Sequence, residues 1–174
     1  MPKKILLPVD GSEHARKAAA LAGDLAEKYD SELILLHVIQ SQEIGEQERH
    51  MAEVEHIADS RPESLPWVAN VPAELAKVMN TVQTANRDQD VLKFISEQIV
   101  HDTAEVLKTH GSAPSRVLFK NGRPADRILE TAEEEAVDTI VMGSRGLSDL
   151  KGIVTGSVSH KVSQLAECTC ITVK

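Results

Sequence analysis

Lys4-Ile5-Leu6-Leu7-Pro8-Val9-Asp10-Gly11-Ser12 passes from an apolar run into a turn and then into a helix start. A short apolar run of this kind predicts a buried strand over residues 4–9, ended by Pro8-Val9-Asp10-Gly11. Ser12 is suited to cap the following helix, and Glu13 is favoured in its first turn, where a negative charge meets the positive end of the helix dipole. Ala15, Ala18, Ala22, Leu25 and Tyr29 then recur at helical spacing, so the helix runs to about residue 28. Its small residues permit close packing on a sheet. Leu33-Ile34-Leu35-Leu36-His37-Val38-Ile39 is almost wholly apolar, the pattern of a strand covered on both faces. A strand, a helix and a second two-sided apolar strand begin a parallel α/β sheet.

The same alternation continues outward from this unit. Residues 90–108 predict a helix with Leu92, Ile95, Ile99 and Val106 on one face and Gly111 as its stop. Residues 115–120 predict a third strand. Pro124 suits the first position of the next helix, whose inner face carries Ile128, Leu129 and Ala132. Residues 137–142 predict a fourth strand, 143–156 a loop, 157–165 a short helix and 170–173 a final strand. Such alternation argues for parallel strands joined by right-handed crossovers. One stretch breaks the rhythm. Residues 41–87 hold short helical patterns at 51–59 and 73–82, separated by Arg61-Pro62-Glu63-Ser64-Leu65-Pro66-Trp67 and Val71-Pro72. They read as a helical and loop insertion in a single domain spanning 1–174, placed to cover a pocket or to offer a partner surface.

Composition bounds the function. A chain of 174 residues with 41% hydrophobic residues can bury a sizeable core, and with 2% aromatics that core must be aliphatic. The formal net charge of −8 argues against nucleic acid and against anionic lipid as partners. No apolar run approaches the ~20 residues of a membrane span, and the apolar part of the N-terminus is too short for a secretory leader. A cytoplasmic protein is expected. Cys168 and Cys170, one residue apart, read as two free thiols rather than as a redox or zinc site, in keeping with a reducing compartment. The seven histidines show no metal-ligand spacing; His37 lies in a strand and reads as a packed core residue.

The segment with chemical content is Gly143-Ser144-Arg145-Gly146-Leu147-Ser148-Asp149-Leu150-Lys151-Gly152-Ile153-Val154-Thr155-Gly156-Ser157-Val158-Ser159. It leaves a buried strand and ends by opening a helix, whose unpaired N–H groups and positive dipole end favour an anion. Gly143, Gly146 and Gly156 let backbone approach a phosphate and can adopt positive φ. Ser157 and Ser159 add hydroxyls, and Arg145 is either a phosphate contact or a solvated loop charge. In open α/β sheets ligands sit beyond the carboxyl ends of the strands where the strand order reverses. If the first and fourth strands are neighbours, Pro8-Val9-Asp10 faces Met142-Gly143 across that crevice. Asp10 is then either an adenosine contact or only a helix-start acceptor, and Val38 either lines the base or belongs to the core. Neither G-x-x-x-x-G-K-[ST] nor G-x-G-x-x-G occurs, so a P-loop and a dinucleotide fingerprint are both absent.

Gly143-x2-Gly146-x9-Gly156-Ser157 resembles the nucleotide-binding motif of the universal stress protein family, and the similarity extends over most of the chain. The opening Lys4–Ser12 segment, Gly122-Arg123-Pro124-Ala125 and Asp138-Thr139-Ile140-Val141-Met142-Gly143 are similar to the family's other blocks. The resemblance implies an open, Rossmann-like five-stranded parallel sheet in the order 3-2-1-4-5 with helices on both faces. It also implies ATP as ligand and a homodimer paired through the C-terminal strand. By matched position, Pro8, Asp10 and Val38 would surround the adenosine. Met142, Gly143, Arg145, Gly146, Gly156, Ser157, Val158 and Ser159 would surround the ribose and phosphates. No metal motif indicates whether Mg2+ or Mn2+ accompanies the ligand. Two departures stand out: Thr169 follows Cys168 where the family often has Cys-Pro, and residues 41–87 are longer than usual. The reading is an ATP-binding stress-response protein acting as a nucleotide-dependent regulatory module. The alternatives are a slow ATP or adenylate hydrolase, for which no general base or nucleophile pair is evident, and a nucleotide-free scaffold acting through the insertion.

Overall fold

The first strand, β1 (Lys4–Val9), lies at the centre of the sheet, and its five residues after Lys4 are all buried. A strand so placed needs apolar side chains on both faces, and its sequence supplies them. The computed structural model describes residues 2–39, 88–147 and 156–174. Within these, β2 (Glu32–Ile39), β3 (Arg116–Asn121), β4 (Thr139–Gly143) and β5 (Thr169–Val173) complete one five-stranded sheet. Its order is β3-β2-β1-β4-β5, and every pairing is parallel. The order that the family resemblance implies is therefore the order found. The insertion expected at 41–87, with its helical patterns at 51–59 and 73–82, lies outside the described residues, as does the middle of the loop at 148–155.

Four helices cover the sheet among the described residues. Helix α1 (Glu13–Tyr29) and helix α2 (Asp88–Thr109) pack on one face, α3 (Pro124–Glu134) and α4 (Ser157–Leu165) on the other. Strand alternation sorts the core into two layers. Ile5, Leu7, Val9, Leu33, Leu35 and Val141 meet the alanine stripe of α1 (Ala15, Ala18, Ala19, Ala22, Ala26) and Leu107 of α2. Leu6, Ile34, Leu36, Ile140 and Met142 meet Ala125, Ile128 and Ala132 of α3 and Val162 of α4. The small side chains of α1 bring α2 close: a Cβ on Gly23 would stand 2.9 Å from His110 Cβ. Among the described residues no helix is long and apolar enough to cross a membrane.

Local signals set the boundaries. Ser12 caps α1, its Oγ accepting the Ala15 N–H at 3.2 Å. Pro124 opens α3. After α2, Gly111 takes φ +72, and Ser112 N donates to Leu107 O at 3.0 Å, which ties off the helix end. Strand β5 begins at Thr169, one residue earlier than the sequence pattern suggests, because Thr169 N donates to Asp138 O at 3.1 Å. The fourth strand begins later than expected, at Thr139, since Ala136 at φ 49 still belongs to the turn after α3.

Candidate functional site

The chain runs from β1 through β2 to β3 on one side and then returns to β4 and β5 on the other. The strand order therefore reverses between β1 and β4, and the crevice at their carboxyl ends is the place where such sheets hold ligands. Pairing of β1 with β4 covers Ile5↔Thr139 and Leu6↔Ile140. Pairing of β1 with β2 continues to Val9↔His37, and that of β4 with β5 to Gly143↔Val173. Pro8, two residues beyond Leu6, has no N–H to offer a ladder. The crevice opens where the β1–β4 pairing stops.

Asp10 stands at the tip of β1. Its Oδ1 accepts the Ser12 N–H at 3.0 Å, a local turn that leads into α1. Its Oδ2 accepts the Leu147 N–H at 3.2 Å, from the loop that follows β4. Ser12 makes a second tie, its Oγ donating to Arg145 O at 3.3 Å. The far end of the loop is held as well. Ser144 O accepts from Gly156 N at 2.7 Å and from Ser159 Oγ at 2.7 Å. Ser144 N donates to Val173 O of β5 at 2.7 Å. Residues 143–147 and 156–159 thus form one hydrogen-bonded assembly on the tip of β1.

The glycines serve this assembly differently from the expectation. Positive φ occurs at Gly11, Gly111 and Gly122 among the described glycines, and not at Gly143, Gly146 or Gly156. What the latter three share is closeness of approach. A Cβ on Gly143 would meet Ala15 N at 2.8 Å and His14 C at 2.9 Å, both backbone atoms at the start of α1. On Gly146 it would stand 2.5 Å from Asp10 Oδ2, and on Gly156 3.2 Å from Ser144 O and 3.3 Å from Arg145 Cα. Bare backbone at these positions lets two distant chain segments close on each other.

Helix α4 starts at this assembly. Gly156 is its N-cap at φ −69, ψ 154, and no side chain caps it, so the N–H groups of its first turn are not taken by a capping side chain. Beneath it Ser144 is almost fully buried, and its Oγ is buried without a hydrogen-bond partner among the described residues. An uncapped helix start above an orphaned buried hydroxyl suits a bound anion. The apolar wall is on the α3–α4 side: Met142 is buried in that layer, and Val38 and Val158 pack against it half-buried. Pro8 is buried in β1, Arg145 and Gly146 are half-buried in the loop, and Ser157 is exposed on the first turn of α4. Ser159 is buried, its hydroxyl directed to Ser144 O, with Gly156 O at 3.0 Å as a second acceptor.

His37, read from the sequence as a packed core residue, is buried beside the crevice. Its Nδ1 lies 2.9 Å from Val9 O, an acceptor, so Nδ1 carries the proton. The ring meets Phe119 edge-on at 6.3 Å between centroids. Burial holds the imidazole below its usual range, partly offset by the Val9 bond and by the charge of Asp10. Two contributions escaped the sequence reading. Ser12 is a loop tie as well as a helix cap, and His37 fixes the carbonyl that precedes Asp10. Neither partner is near in sequence, so spacing carries no signal for them.

An open parallel sheet with a crevice at its switch point, an uncapped helix start and a glycine-bearing loop defines an α/β protein of the doubly wound class. The Universal stress protein family matches residues 1–174, and the chain belongs to that family. Universal stress protein YxiE of Bacillus subtilis is 32% identical over the full length of both chains. The solved structure of MJ0577 from Methanocaldococcus jannaschii is 27% identical and has a TM-score of 0.59, covering 99% of this chain and 95% of that one. A universal stress family protein from Arabidopsis thaliana, solved with AMP bound, is 19% identical with a TM-score of 0.58, covering 99% and 92%; that likeness is one of fold.

Proposed function

We propose that this chain binds ATP in the crevice between β1 and β4 and acts as a nucleotide-dependent regulatory module in stress response. The observation that carries the reading is the uncapped start of α4 above the buried Ser144 hydroxyl, held against the β1 tip by Asp10 and Ser12. The phosphates would lie on the N–H groups of residues 157–159, with Gly143, Gly146 and Gly156 keeping the backbone close and Arg145 at the rim. The base and ribose would lie toward Pro8, Asp10, Val38, Met142 and Val158. The fold relative solved with AMP supports an adenine nucleotide as the ligand class. Among the described residues no group of three or more His, Cys, Asp or Glu could hold a metal, so Mg2+ or Mn2+ would arrive on the polyphosphate. Both carboxylate oxygens of Asp10 already accept backbone N–H groups, which favours a holding role over that of a general base.

A homodimer through the edge of β5 belongs to the same reading, since among the described residues that strand is paired on one side only. Mass spectrometry of small molecules released from freshly purified, denatured protein tests the ligand. An adenine nucleotide near one per chain is expected. A protein that releases none and shows no calorimetric response to added ATP would remove the proposal.

A further inference from the structure

At the opposite end of the sheet from the crevice, two thiols lie together. Cys168 stands at the entrance to β5 and Cys170 within it, and both are free, half-buried and packed against the α3–α4 core layer. Cys170 Sγ points back to Cys168 O at 3.8 Å, so its side chain is directed toward the preceding cysteine. Thr169 between them is held extended by its pairing with Thr139. Two residues of extended chain separate the Cα atoms by about 6.6 Å, at the far end of the range of about 4.4–6.8 Å that a disulfide accepts. An ion bridging two thiolates needs a sulfur–sulfur span of only about 4.6 Å if it is collinear, taking the zinc–thiolate bond as a guide. Side chains two residues apart on an extended strand share one face, so the two sulfurs can reach that span without moving the strand.

The surroundings select the ion. The carboxylate of Asp138, whose charge acts on Cys168, is already engaged. Its Oδ2 accepts from Lys3 N at 2.8 Å and Lys4 N at 3.1 Å, and its Oδ1 accepts from Thr139 Oγ1 at 3.0 Å. Val137, Ile140, Val162 and Ala166 form the apolar layer against which the pair packs. A four-ligand zinc site has no further donors among the described residues. Two soft sulfurs in an apolar setting match a monovalent d10 cation that accepts two-coordination. We propose that Cys168 and Cys170 form a two-thiolate site for Cu(I). Binding replaces two S–H protons by two Cu–S bonds, with copper remaining monovalent: two thiols and Cu+ give a bis-thiolate complex of charge −1 and two protons released. The site is independent of the nucleotide crevice.

The test is anaerobic competition of the reduced full chain against a chromophoric Cu(I) chelator such as bathocuproine disulfonate. The wild type withdraws one Cu(I) per chain. Cys168→Ser and Cys170→Ser each remove one of the two ligands and weaken that affinity by more than the about 100-fold that loss of an outer-shell partner can cost a metal site, and the double variant withdraws none. Copper X-ray absorption shows two sulfur neighbours. Circular dichroism checks the fold of the variants, and wild type alkylated with N-ethylmaleimide replaces any variant that unfolds. The proposal is overturned if wild type leaves the chelator's copper in place, or if blocking both thiols changes nothing. One copper per two chains, or three sulfur neighbours, overturns it equally, since either puts the metal between chains.

Discussion

Asp10 and Leu147, 137 positions apart in the chain, are joined by one hydrogen bond: the carboxylate Oδ2 accepts the Leu147 N–H at 3.2 Å. With the Asp10–Ser12 turn, this bond makes one side chain the link between the tip of β1, the start of α1 and the loop after β4. Hydrogen bonds to a charged group contribute about 1.5–3 kcal/mol each. Asp10→Ala is therefore expected to weaken ATP binding by about tenfold or more. Asp10→Asn, which keeps one acceptor oxygen, loses less. Calorimetric titration of both variants checks the order; equal affinity of wild type and Asp10→Ala would show that the link does not support the site.

Gly143 and Gly156 are expected to fail in opposite ways. The atoms that a Cβ at Gly143 would meet are backbone at the start of α1, which cannot swing aside. Gly143→Ala should cost about 1–3 kcal/mol by overpacking, read as a lower urea midpoint with an unchanged slope. Gly156 has φ −69, open to any residue, and its tightest approach is 3.2 Å. Gly156→Val should lower the melting temperature by only about 2–8 °C, while its side chain blocks the start of α4 and removes ATP binding. A Gly143→Ala variant as stable as wild type would contradict the close packing of β4 on α1.

Ser159→Ala removes the hydroxyl that reaches Ser144 O, whose other donor is Gly156 N. A buried hydrogen bond of this kind is worth about 1 kcal/mol. Denaturant unfolding should show that loss, with Ser159→Thr retaining most of it. An unchanged midpoint in Ser159→Ala would mean that the contact does not hold the loop.

His37 gives the fold a pH dependence of defined sign. Its folded pKa is depressed by burial, so the unfolded chain binds more protons between the folded value and the ordinary one near 6.5. Its contribution is complete above that ordinary value and is lost as pH falls through the folded one, at no more than about 1.4 kcal/mol per pH unit. The described groups facing the ring offer no other source. Asp10 is the charged group acting on it, β3 offers Phe119, and the buried positions of α2 are the uncharged Ser96, Thr103 and Leu107. Urea unfolding of wild type and His37→Gln from pH 8 to pH 5 should diverge in slope below about pH 6.5, wild type falling faster. Parallel curves would show that His37 is not the titrating group.

The fold is legible in the sequence because each strand carries its own apolar run and each helix its own period. Leu33 to Leu36 fits a two-sided strand, and Pro124 and Ser12 mark helix starts, all of which the structure bears out. The loop was legible as a feature but not in its workings. Gly143 looked like a phosphate glycine, yet its neighbours are His14 and Ala15, about 130 positions away and invisible to any local pattern. The Ser159 hydroxyl looked free for a ligand and is directed to Ser144 O. The one-residue error at β5 has the same origin, since Thr169 is drawn into the strand by Asp138 O, just ahead of β4. Period and composition report burial, whereas contacts made across the chain are settled by topology.

A nucleotide seated where α4 meets the tip of β1 can be sought by titrating ATP into nucleotide-stripped wild type and into folded Gly156→Val side by side. Saturable heat near one site per chain is expected for wild type and none for the variant. A silent wild type at millimolar ATP, or two indistinguishable binding curves, would rule out that seat.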